Sequence, residues 1–161
     1  MAQEAAPPDT RVVYCDNDPP IVLAHAEALL KGTPEGVIDY VQADARNVDT
    51  ILEHAGRTLD FSKPVALSMI ALLHFVSDED GAYELVRRLT DVLAPGSYMV
   101  ISQITADFHP EEAREVDKMY KANTLTLAPR TRAQFASFFD GLEIAEPGIV
   151  AAEDWHSELG E

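Results

Sequence analysis

The stretch VVYCDNDPPIVLAHAEALL, residues 12–30, decides the fold class. Its first half, with residue 11, reads RVVYC, a β-branched and aromatic run that suits a short buried strand. Asp16, Asn17 and Asp18 stop that run, and Pro19 and Pro20 suit the first turn of a helix, where a missing N–H is no loss. Ile21, Leu23, Ala24, Ala28 and Leu29 then repeat at helical spacing until Gly32 and Pro34 end the pattern. A strand that runs through an acidic turn into a helix is the opening of an α/β unit.

The rest of the chain extends the alternation. VIDYVQAD (37–44) predicts a second strand, with Val37, Asp39 and Val41 alternating, and VDTILEHAG (48–56) a short helix. KPVALSMIALLHFV (63–76) opens as a continuous apolar run, the pattern of a strand covered on both faces. DEDGAYELVRRLTDVL (78–93) predicts an amphipathic helix stopped by Pro95 and Gly96, and SYMVISQIT (97–105) another strand. Helices follow over 110–121 and 130–139, the second with Thr131 placed to cap it. LEIAEPGIV (142–150) reads as a late strand. The order predicts one α/β domain over residues 1–161 with a largely parallel sheet.

Composition narrows the function. The 161 residues are 47% hydrophobic, as in a globular domain, and no apolar run approaches the ~20 residues of a membrane span. The N-terminus lacks the basic and apolar regions of a secretory signal, and the single cysteine, Cys15, excludes an internal disulfide framework. Both features predict a cytoplasmic protein. A net charge of −16 repels phosphate backbones, so no nucleic-acid partner is expected. The five histidines, His25, His54, His74, His109 and His156, form no metal-ligand spacing.

Ligands of parallel sheets bind beyond the carboxyl ends of the strands. Asp16, Asp44 and His74 each fall at or just past such an end. A carboxylate after a strand has two oxygens to offer the vicinal hydroxyls of a ribose. Asp16 fits that role and fits equally a cap for the following helix, the role favoured for Asp18. Asp44 alone reads as a turn aspartate satisfying its own backbone. Beside Asp16, one helix and one strand earlier, it also suits an acceptor for the exocyclic amine of adenine, with the Ala45 amide near a ring nitrogen. His74 reads first as a structural or lining residue and second as a base. Cys15 reads as a small core residue.

Those segments in that order, VVYCDNDPPIVLAHAEAL, YVQADARN, PVALSMIALLHFVSDED and LAPGSYMVISQIT, resemble the Rossmann-like S-adenosylmethionine-dependent methyltransferases, and most a bacterial S-adenosyl methyltransferase group. FFDGLEIAEPGIV followed by Trp155 resembles that group's ending. The resemblance implies a sheet with helices on both faces, S-adenosylmethionine as cofactor and a small-molecule methyl acceptor. It places Asp16 on the ribose, Asn17 beside sugar and adenine, and Asp44 with Ala45 on the adenine. It has residues 70–74, Ile70 and Leu72 among them, line the cofactor, and puts Phe108 and Tyr120 where a substrate pocket is often built, although core packing suits both.

The same resemblance implies a glycine-rich loop and a central first strand ahead of Val12. Only eleven residues precede Val12 and none is glycine, so the expectation is a chain that begins inside the domain. Two strand edges would then lack partners, and the methionine end of the cofactor would be held poorly. A methyltransferase-like fragment without catalysis is therefore the main rival. A phosphoacceptor receiver domain also opens this way, but it needs an aspartate ending the third strand, and VALSMIALLHF has none.

Overall fold

A computed structural model describes residues 6–17, 32–108, 111, 115, 119 and 126–155. Asp18, the helix expected from Pro19, Tyr120, His25, His109 and His156 lie outside the described residues. Of the helix expected over 110–121, residues 111, 115 and 119 are described, and all three are helical.

The chain divides into two compact units, one of residues Met1–Val65 and Arg88–Ser97, the other of Ala66–Arg87 and Tyr98–Glu161. In the first, β1 (Arg11–Asp16) and β2 (Val37–Gln42) pair in parallel, Arg11 opposite Val37 and Asp16 opposite Gln42. Tyr14 and Tyr40 stack across the pair with centroids 5.4 Å apart. Helix α1 (Val48–Thr58) packs on both strands and buries Val48 and Ala55. Its C-terminal end is tied back to the strands, because Thr58 Oγ1 donates to Asp39 Oδ2 at 2.8 Å and Arg11 Nη1 donates to Thr58 O at 3.0 Å. Asp39 thus occupies its alternating position as an acceptor for the helix end.

In the second unit, β3 (Ala66–Ile70) and β4 (Tyr98–Ser102) pair in parallel, Ala66 opposite Tyr98 and Ile70 opposite Ser102. Met69 and Ile101 face one another in the core, while Ala66, Ser68, Ile70, Tyr98 and Val100 are exposed. The strand expected to be covered on both faces is covered on one. A continuous apolar run reports that either face could be buried, not that both are. Helix α2 (Ala82–Thr90) starts later than residue 78, since Asp78 and Gly81 close a turn in which Gly81 takes φ +83°. It buries Ala82, Leu85, Val86 and Leu89.

Helix α3 (Arg132–Ala136) continues into a 3₁₀ turn, Ser137–Phe139. Thr131 caps it as expected: the Gln134 amide donates to Thr131 Oγ1 and Gln134 Oε1 accepts from the Thr131 amide at 2.9 Å. The late strand over 142–150 is not formed. Pro147 offers no N–H, and Gly148, at φ +84°, closes a turn onto Ala145 O at 2.8 Å. Among the described residues, one isolated parallel bridge, Thr105 with Arg130, lies outside the strands.

The alternation of strands and helices gives the α/β class expected. The described strands form two separate two-stranded parallel sheets, not one continuous sheet. No helix among the described residues is long and apolar enough to cross a membrane.

Candidate functional site

The carboxyl ends of β1 and β2 bring four of the expected residues to one edge. Asp16 is the last residue of β1 and is exposed, as is Asn17 after it. The Ala43 amide donates to Asp16 O at 3.0 Å, extending the ladder one rung past β2. Asp44 and Ala45 follow in a turn closed by the Asn47 amide on Asp44 O at 2.8 Å. The parallel register is what places the two acids together, because both strands end at the same level.

Asp44 is held by its own loop. Its Oδ1 accepts from the Arg46 amide at 2.9 Å and from Arg46 Nε at 2.8 Å, and its Oδ2 accepts from Arg46 Nη2. These bonds, the guanidinium first, pull the Asp44 carboxyl down to about 2. The turn role expected of a lone Asp44 is therefore present. A carboxylate has about four lone-pair sites, and these three bonds leave one for a further donor.

Cys15 is not the core residue expected. It is exposed, at the carboxyl end of β1, and its thiol lies 3.6 Å from Ala43 O. Desolvation of the sulfur, and next the Asp16 charge, raise the thiol above its ordinary value, so it is a weak nucleophile.

The segment after β3 lies in the second unit. Ile70 is 57% exposed, Leu72 half-buried, and Leu73–Phe75 form one 3₁₀ turn with Leu73 and His74 buried. Between Ile70 and Leu72, Ala71 adopts φ +54°, a left-handed conformation uncommon outside glycine. Its amide donates to Ser102 Oγ at 3.0 Å. His74 is 5% exposed, its ring 4.3 Å from that of Phe75, and its Nδ1 has no hydrogen-bond partner among the described residues. Burial, and then the Arg130 charge, lower its pKa below the ordinary 6.5. Both effects favour the neutral imidazole.

Beneath this turn lies a residue that sequence reasoning passed over. Arg130, 2% exposed, donates from Nη1 to Leu73 O at 2.9 Å and from Nη2 to Val76 O at 2.8 Å. It also donates to Asp78 Oδ1 at 2.9 and 2.6 Å and to Gln103 Oε1 at 3.0 Å. Its guanidinium carbon sits 5.0 Å from the Phe138 ring centre and 5.6 Å from that of Tyr83. In the sequence it was one arginine of APRTR ahead of a helix, with nothing local to mark it. Phe108, at 72% exposure, is no core residue. Among the described residues no cluster of His, Cys, Asp and Glu could hold a metal ion.

A family model described as S-adenosyl methyltransferase matches residues 1–161. No curated protein matches the chain. The crystal structure of a DUF574 family protein from Streptomyces avermitilis is 47% identical with a TM-score of 0.88, over 96% of this chain and 59% of that one. A protein assigned as a methyltransferase from Thermobifida fusca is 33% identical with a TM-score of 0.80, over 96% of this chain and 57% of that one. The chain therefore spans under two thirds of the length of either solved relative.

Proposed function

The chain belongs to the S-adenosyl methyltransferase family, and from that premise we propose that it binds S-adenosylmethionine at the carboxyl edge of β1 and β2 and directs the methyl group to a small-molecule acceptor. Membership leaves no place for the receiver-domain reading. The observation that supports the site is the shared edge: Asp16 closes β1, Asp44 stands just past β2, and the Ala43 amide bonds to Asp16 O between them.

The residues present fit the nucleoside end of this cofactor. Asp16 offers two carboxylate oxygens to the two ribose hydroxyls, with Asn17 beside them. Asp44, held by Arg46, keeps one lone pair for the adenine amine, and the Ala45 amide is assigned to a ring nitrogen. The family resemblance assigns the segment after β3, with Ile70 and Leu72, to the cofactor as well. When bound, the cofactor would supply a methyl group on a sulfonium, the bond from acceptor to methyl carbon forming in line as the carbon–sulfur bond breaks and the thioether leaves. That geometry needs the reacting atoms within about 3–3.5 Å, so this chain's contribution is orientation and exclusion of water. The charge of −16 favours a small or cationic acceptor over nucleic acid. The single cysteine, Cys15, supports work in a reducing compartment such as the cytoplasm.

The test is calorimetric titration of the chain with S-adenosylmethionine. Asp16→Ala removes acceptors for two hydrogen bonds, each worth about 0.5–1.5 kcal/mol and more when charge-assisted. The expected loss of affinity is on the order of ten- to hundredfold. Undiminished binding by the variant overturns the ribose assignment. No binding by the unaltered chain favours the non-catalytic fragment.

A further inference from the structure

We propose that Arg130 is a positioning residue for the turn that follows β3, acting from beneath it on the segment that lines the cofactor; this rests on the cofactor reading above. The turn Leu73–Phe75 is a single 3₁₀ turn, with the Phe75 amide on Leu72 O at 3.0 Å and the Val76 amide on Leu73 O at 3.2 Å. One such turn does not hold itself, because few hydrogen bonds repay the residues it orders. Arg130 supplies the missing restraint by donating to the carbonyls at both ends, Leu73 O and Val76 O.

The geometry calls for arginine specifically. A guanidinium has five N–H donors, and the five bonds to Leu73, Val76, Gln103 and twice to Asp78 use that number. A lysine ammonium has three donors radiating from one point and cannot span both carbonyls and the carboxylate. The side chain is too buried to meet a ligand itself, so its effect passes through the turn. A well-packed apolar group at such a place is often as stabilising as a buried ion pair. What the apolar group lacks is the directional hold on two carbonyls. That hold carries upstream to Ala71, whose left-handed backbone is pinned from the other side by Ser102 Oγ. Ile70 and Leu72 flank that residue, so one conformation of the turn sets both.

The test compares Arg130→Lys with Phe138→Leu. The second removes the ring beneath the guanidinium and lowers stability without touching the carbonyl bonds. Amide hydrogen exchange is read at Phe75 and Val76, with Ile101 in β4 as the reference for global opening. Affinity for S-adenosylmethionine is read by calorimetry. In Arg130→Lys, exchange at Phe75 and Val76 should rise about tenfold or more over Ile101, and affinity should fall about tenfold. In Phe138→Leu the three amides should move together and affinity should hold. If the lysine variant does not fold, Asp78→Asn replaces it, with the same selective rise expected. Equal rises at all three amides in Arg130→Lys or Asp78→Asn overturn the proposal, since Arg130 then serves stability alone. A selective rise in a protein whose unaltered form binds no cofactor overturns the cofactor reading, and the positioning role with it.

Discussion

The guanidinium of Arg46 engages both carboxylate oxygens of Asp44, two residues away in the same turn, while the Arg46 amide holds one of them as well. The acid at the end of β2 is therefore fixed in direction before any ligand arrives. In the site proposed above, its remaining lone pair would serve the adenine amine.

Removing that grip should be visible in the titration of Asp44. In Arg46→Ala the carboxyl should rise from about 2 toward its ordinary 3.8, read by carboxyl NMR. A carboxylate whose folded value lies below its unfolded one adds stability that is present above pH 3.8 and is lost as pH falls toward 2. The pair is substantially exposed, so the stability at stake at neutral pH is about 1 kcal/mol or less. An Asp44 that titrates near 2 in the variant contradicts the assignment of the shift to Arg46.

His74 gives a second pH signature of the same sign. Its folded pKa lies below the ordinary 6.5, so below pH 6.5 the unfolded chain binds the proton more readily than the native one. Stability is then full above pH 6.5 and declines as pH falls from there toward the folded value. His74→Phe should flatten this part of the stability curve, measured by urea melts between pH 5 and 8. Identical slopes for the two proteins would remove the burial of His74 as the cause.

Ala71 tests whether the bend after β3 is strained. A non-glycine residue at φ +54° carries a cost of about 1–2 kcal/mol, which glycine avoids while adding about 0.4–1 kcal/mol of unfolded-state entropy. Ala71→Gly should therefore be neutral or stabilising by up to about 1.6 kcal/mol in equilibrium unfolding. A β-branched residue suits this conformation worst, so Ala71→Val should destabilise. A glycine variant less stable than the valine one would show that the left-handed bend is absent in solution.

What the sequence determined is what neighbours in the chain decide. Hydrophobic period and punctuation placed β1, β2, α1 and β4 within a few residues, and the Thr131 cap was legible because its partner Gln134 lies three residues on. Asp16 could be set at a strand end because it is the first break in an apolar run, and Asp44 because it closes the alternating run VIDYVQA. Tertiary structure decided the rest. An apolar strand does not say which face is covered, and only the fold leaves Ile70, Tyr98 and Val100 exposed. The late run over 142–150 had strand-like residues, but a strand needs a partner edge, and the turn at Gly148 closes before one is met. Arg130 lies 57 residues from Leu73 and 52 from Asp78. Its hold on the turn after β3 has no local pattern, because a buried charge is satisfied by groups that only the fold brings within hydrogen-bond reach.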